Sequence, residues 1–175
     1  MEQFLQQNSP HRKLISLKHL LQFLAMLVIE DYAFYWSHRL LHHPLLYKRM
    51  HKIHHEFDFT IAYMTLYCHW FEFIISDMLP IGLSLHLFQS NIHVFTVSLF
   101  ASYSLFKTHY MHCGYEFMFF PVPPDMPKWL SVVSAEHHDF HHTRNLGNFS
   151  TGIALWERYM GSDEIFKKEK KGVAD

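Results

Sequence analysis

The sequence has little cysteine: Cys68 and Cys113 are the two it contains, far apart and in no CxxC unit. That excludes a disulfide framework and a thiolate zinc site, and it permits a reducing compartment. Charge of one sign is also missing, with 15 Lys and Arg against 16 Asp and Glu, so there is no basic field to hold nucleic acid. No GxGxxG fingerprint appears, so the chain is not expected to bind a nicotinamide itself. Uninterrupted apolar runs of the roughly 18 residues that mark a confident membrane span are absent as well. From Leu20 the chain is apolar through Ile29 except at Gln22, and then meets Glu30 and Asp31. Residues 73–88 are interrupted by Asp77, Pro80 and His86, and residues 92–106 by His93. Residues 1–18 are polar, carry Pro10 and His11, and lack the charged, apolar and small-residue order of a secretory signal.

Histidine is what the sequence has in excess. Seventeen occur in 175 residues, beside 17% aromatics and 49% hydrophobics, and they help hold the mean hydropathy near zero. The length fits one domain. Ten of the histidines fall in two stretches, HRLLHHPLLYKRMHKIHH (residues 38–55) and HHDFHH (residues 137–142). Neutral imidazole is the commonest protein ligand for borderline transition metals, so such a concentration suggests a metal centre.

Spacing gives this suggestion a geometry. On a helix, His38 and His42 project from one face, one turn apart. His51, His54 and His55 repeat the arrangement at i, i+3 and i+4, with Pro44 breaking the chain into two helices. His138, His141 and His142 show it a third time. One HxxxH pair alone is weak evidence, because helix faces carry such pairs by chance; three clusters in one short chain point to metal ligation.

HxxxH, HxxHH and a distant HxxHH resemble the signature of the fatty acid hydroxylase and sterol desaturase superfamily of membrane non-haem di-iron enzymes. EDYAFYWSHRLLHHPLLYKRMHKIHHEF (residues 30–57), MHCGYEF (111–117) and HHDFHH with GNFSTGIALWERYMGSD (147–163) look most like its C-4 methylsterol oxidase branch. The resemblance adds His69 and His112 as ligands, giving the set His38, His42, His51, His54, His55, His69, His112, His138, His141 and His142. His69 stands before Trp70 where relatives have proline; Glu157 and Ser162 replace the branch's usual Asp and Thr. His109 is read as a ligand or a residue orienting one, His43 and His137 fall outside the primary set, and His86 and His93 are read as structural or interfacial. Ten imidazoles exceed what one metal takes, so two metals are expected. Iron follows from the resemblance, since imidazole also suits zinc. A zinc hydrolase usually needs about three protein ligands and a catalytic carboxylate. A soluble di-iron bundle would use Glu-x-x-His pairs, which this chain lacks.

The resemblance implies an all-α fold, an integral membrane helical bundle with a cytosolic-face histidine cluster. Its expected organisation is a polar segment at 1–18, a di-iron domain at 19–165 with a helical hairpin at about 73–106, and a charged, solvated, mobile tail at 166–175. The hairpin would leave one membrane face and return to it, letting the clusters before and after it meet. The helix from Leu20 would run on through Trp36 with Glu30 and Asp31 facing protein; the alternative is a buried helix of a soluble bundle. The implied activity is O2-dependent oxidation of a membrane lipid, a sterol first, with two iron ions as cofactors. Electrons would come from NAD(P)H through cytochrome b5 or its reductase, in a multi-pass endoplasmic reticulum protein. A fatty-acyl hydroxylase or desaturase, and a truncated metal-binding relative without turnover, are the alternatives. Asn148-Phe149-Ser150 fits the glycosylation acceptor pattern and is expected to be unused. Residues 119–127 are proline-rich and expected to be irregular, and Trp129 to lie at a membrane interface.

Overall fold

The computed structural model describes residues 16–90, 92–116 and 132–174. The proline-rich 119–127 stretch, Trp129 and residues 1–15 lie outside the described residues. In chain order the elements are α1 (Leu17–Leu41), α2 (Pro44–Tyr47), two 3-10 segments (His51–Glu56 and Ala62–Leu66), α3 (Trp70–Phe88), α4 (Val94–Met111), α5 (Ala135–Arg144), α6 (Leu155–Met160) and α7 (Glu164–Ala174). The fold is all-α: no β-strand forms among the described residues, and Val132 and Ile153 pair as one isolated antiparallel bridge.

The three long helices are built inside out. Along α1 the buried positions Gln22, Met26 and Glu30 recur every four residues, one face of a helix, whereas Leu20, Leu21, Leu24, Val28 and Trp36 are exposed. α3 repeats this with Ser76, Pro80 and Ser84 inside and Ile74, Leu79, Leu83 and Leu87 outside. α4 buries Thr96, Phe100, Ser104 and Lys107 and exposes Val94, Leu99, Leu105 and Phe106. Buried polar groups must be paired, and these are what join the helices. Lys107 Nζ donates to Glu30 Oε1 at 3.0 Å, Ser104 Oγ to Glu30 Oε2 at 2.9 Å, and Ser84 Oγ to the Met26 carbonyl at 3.1 Å. Thus α1 does run on past Glu30 and Asp31 with both acids buried.

α3 and α4 cover the region read as a hairpin, starting at Trp70 instead of 73 and ending at Met111 instead of 106, and both pack against α1. Within α3, Phe73–Met78 is π-helical. Pro80 supplies the reason: it has no N–H for the Ser76 carbonyl four residues back, and its ring crowds that carbonyl, so the preceding turn widens. Pro44 acts at the other end of α1, holding His43 extended at ψ 136° and stopping the helix at Leu41.

After α5, which Ser134 caps and left-handed Asn145 ends, the chain folds back over α1. The Ile153 N–H donates to Asp31 Oδ1 at 2.9 Å, and Gly152 lies so close to that carboxyl that a Cβ would come within 2.4 Å of Oδ1. The charged segment is helical through Ala174, with Lys167 paired to Asp163 at 2.7 Å and Glu164 at 3.1 Å. Alternating Lys and Glu on good helix formers make a helix the lower-energy choice for this stretch.

Candidate metal centre

Four pieces of chain deliver imidazoles to one end of the three long helices. α1 brings His38 in its last turn and His42 as its C-cap; the first 3-10 segment brings His51, His54 and His55; His112 caps α4; α5 brings His138, His141 and His142. They form two groups whose ligand nitrogens lie within 4.8 Å of one another: His38, His42, His51, His55 and His141 in one, and His54, His112, His138 and His142 in the other. Each HxxHH triplet divides the same way. Its outer pair, four residues apart, joins one group and its middle histidine the other. The groups abut, with His55 stacked on His142 at 4.5 Å between ring centres.

The proton positions follow from the partners. A carbonyl only accepts, so a ring nitrogen bonded to one carries the proton. His38 Nδ1 donates to the Phe149 carbonyl at 2.7 Å, His141 Nδ1 to Gly147 at 2.5 Å, His54 Nδ1 to Tyr67 at 3.3 Å and His112 Nδ1 to Thr108 at 2.9 Å. His51 Nδ1 instead meets a side chain, Glu72 Oε1, at 2.8 Å. The Nε2 atoms point inward at each other: His38 to His51 at 3.1 Å, His51 to His42 at 2.9 Å, His55 to His51 at 3.0 Å, and His54 to His112 at 3.3 Å.

Two ring nitrogens at such a distance repel unless a proton or a cation lies between them, and where both rings carry their proton on Nδ1, as His54 and His112 do, the cation is what remains. Nitrogens at right angles around a metal roughly 2.1 Å away are roughly 3.0 Å apart, the separation found here. Both nitrogens of buried His142 have no hydrogen-bond partner. A neutral imidazole always carries one N–H, so leaving both atoms dry costs about 1–3 kcal/mol each, which coordination of one would relieve. Burial pushes His42, His54 and His112 down to about 2, 3 and 4, and pushes His55, His138, His141 and His142 down too, so these rings are neutral bases at neutral pH. In donor type, separation and protonation the residues fit a pair of transition-metal ions.

His69, the tenth residue of the expected set, stands apart from both groups. It caps α3, its Nδ1 accepting the Phe71 N–H at 3.2 Å, which puts the ring proton on Nε2 and turns the side chain to helix initiation. His109 is exposed and donates to its own helix at Leu105, and exposed His43 caps α2 in the way His69 caps α3. His137 is buried against Phe166 outside both groups, and its carbonyl accepts from the Asn148 amide at 2.9 Å. That bond and a 1% exposure put the acceptor asparagine inside the fold, closed to a glycan.

Sequence reasoning missed the groups that hold the rings. Four are backbone carbonyls, which leave no mark in a sequence. Glu72 did leave one, as a lone acid in the aromatic run WFEF. A small cavity of about 20 Å³, room for roughly one water, lies beside both groups and is lined by Glu72, Thr65, Cys68, Ser76, Asp77 and Thr108 among others.

A helical protein that brings nine imidazoles to ligand distance is, as a class, a candidate histidine-ligated metalloprotein. The chain belongs to the fatty acid hydroxylase family, whose model matches residues 23–162. It is 34% identical over 151 residues to the human (Homo sapiens) fatty acid hydroxylase domain-containing protein 2, covering 86% of this chain and 41% of the relative. It is 34% identical over 141 residues to methylsterol monooxygenase 1 of Rattus norvegicus, covering 80% and 45%, and 33% identical over 158 residues to the C-4 methylsterol oxidase of Candida albicans, covering 89% and 50%. The chain therefore spans about half the length of the curated relatives it matches. No solved structure matches it significantly.

Proposed function

We propose that the two histidine groups hold a pair of iron ions and that the protein uses O2 to oxidise a C–H bond of a membrane lipid, a sterol methyl group foremost. The observation that carries this reading is the inward set of Nε2 atoms, 2.9–3.3 Å apart, with the Nδ1 of five of the nine rings already bonded to a carbonyl or carboxyl. Five imidazoles would hold one ion and four the other. Bound iron would supply the activation of O2. The chain's own part is to fold nine neutral rings together, five of them fixed through four carbonyls and one carboxyl, and to keep water scarce in the cavity beside them. Iron in preference to zinc rests on the family, and the sterol on the named relatives, two of which are methylsterol enzymes.

The membrane part of the proposal rests on the helices. α3 is long and apolar enough to cross a bilayer, and the outward faces of α1 and α4 carry leucine, valine and phenylalanine where a water-soluble helix carries charge. The histidine groups sit at the ends of α1 and α4, so they would lie at a membrane face, in the proposal the cytosolic face of the endoplasmic reticulum. Electrons would arrive from NAD(P)H through a separate carrier, cytochrome b5 or its reductase.

The test is purification with iron, elemental analysis, and O2 uptake with 4-methylsterols and with fatty acyl lipids in reducing membranes. About two irons per chain and sterol-dependent oxidation are expected from the two ligand groups. Zinc as the resident metal, or no metal, would overturn the reading; iron with oxidation of acyl chains alone would move the substrate to the fatty-acyl class.

A further inference from the structure

We infer that Glu72 is a positioning residue that orients and charges His51, making the five-histidine metal position electronically different from the four-histidine one. The inference deepens the di-iron reading and rests on it.

His51 is the hub of its group: its Nε2 lies 2.9 Å from that of His42, 3.0 Å from His55 and 3.1 Å from His38. Among the described residues no other ring has an Nε2 within hydrogen-bond distance of three other imidazole Nε2 atoms. Its Nδ1 is also the one among the five partnered rings that meets an acid; the other four meet neutral carbonyls. Nine neutral imidazoles bring no charge to balance two dications, and Glu72 is the carboxyl that touches a clustered ring among the described residues. A cation on His51 Nε2 would hold that carboxyl ionised, and the carboxylate would in turn make the ring a stronger base and lock its orientation.

Packing does not account for an acid at this place. Glu72 is 4% exposed, and its second oxygen, Oε2, is buried with no hydrogen-bond partner. A carboxyl whose only described bond is to His51 is held there at a cost that an apolar side chain of the same volume would avoid. Its placement is also built in. His69 caps the helix three residues earlier, which fixes Glu72 in the first turn of α3, facing the segment that carries His51 across the intervening loop.

The test compares Glu72→Gln and Glu72→Ala with the unaltered full chain, each loaded with ⁵⁷Fe(II) and read by iron-binding titration and Mössbauer spectroscopy. Glu72→Gln keeps an acceptor of the same shape and loses the charge. It should hold the same number of irons while shifting one of two ferrous signals and leaving the other in place. Glu72→Ala should weaken one of the two iron positions by about 10- to 100-fold, the usual cost of losing such a partner. Glutamine with both signals and both affinities unchanged would overturn the inference and leave the di-iron reading intact. If alanine fails to fold, the glutamine variant alone decides. An unaltered chain that takes up no iron would instead overturn the di-iron reading, and this inference with it.

Discussion

The five-histidine group and the four-histidine group draw on the same two HxxHH triplets and yet are held in different ways. The larger adds the HxxxH pair of α1, and its rings are anchored by the loop that folds back over α1, through the carbonyls of Gly147 and Phe149, and by Glu72. The smaller adds His112, and its anchors are carbonyls of its own neighbourhood, Thr108 one turn back on α4 and Tyr67. One buried ring nitrogen of the larger group, His55 Nδ1, has no hydrogen-bond partner, against three in the smaller, His138 Nδ1 and both nitrogens of His142. The larger position is therefore preorganised by distant parts of the chain, and the smaller depends more on the metal itself to order its rings.

Removing the hub should break this comparison most severely. His51→Ala takes out the ring that three others face, and should abolish lipid oxidation while lowering the iron content from about two per chain to about one, checked by elemental analysis. His141→Ala should do nearly the same. His54→Ala or His142→Ala should empty the four-histidine position and leave the other loaded; loss of both irons in each of these variants would show that the positions do not bind separately.

The anchoring loop gives the next effect. Gly147 has φ +60°, and a Cβ there would come within 2.0 Å of the Ser162 carbonyl. Gly147→Ala should cost at least about 1–3 kcal/mol in stability, the usual range for a residue forced into such backbone, and more because a backbone atom must move. Because the Gly147 carbonyl orients His141, iron should be weakened at the five-histidine position before the other, visible in a binding titration.

Acid should sharpen the same contrast. In the folded chain His42, His54 and His112 titrate near 2, 3 and 4, against 6.5 for a free histidine. As pH falls through 6.5 the unfolded chain takes up protons that the folded clusters refuse, so stability is full above that value and is lost progressively toward pH 4. The metal-free protein should unfold at lower denaturant at about pH 5 than at about pH 7, and the loaded protein should release iron over the same window because protonated imidazole cannot coordinate.

The smallest effect separates sequence from structure. His69→Ala should leave iron content unchanged and cost about 1 kcal/mol, as the loss of a helix cap does. Loss of an iron in that variant would return His69 to the ligand set.

How much of this was legible in the sequence depends on what kind of signal each group leaves. Helical spacing announced His38 with His42 and both triplets, because residues four apart on a helix must share a face. It could not announce which histidine of a triplet serves which ion, since that depends on where α4 and α5 meet the 3-10 segment. His51–Glu56 is also a 3-10 segment where an α-helix was expected. His69 sat at the right place in a resemblance, but its ring is spent on the α3 N-terminus. Hydropathy underrated α1 and α4 because Gln22, Glu30, Asp31, Ser104 and Lys107 lower the average although they are buried, and an average over a window cannot see faces.

The most direct measurement is X-ray absorption at the iron edge of the purified, iron-loaded chain, with metal content determined on the same sample. The account predicts about two irons per chain, nitrogen neighbours at roughly 2.1 Å and strong outer-shell scattering from several imidazoles. A single iron, or a shell of carboxylate oxygen or sulfur with weak imidazole scattering, would contradict it.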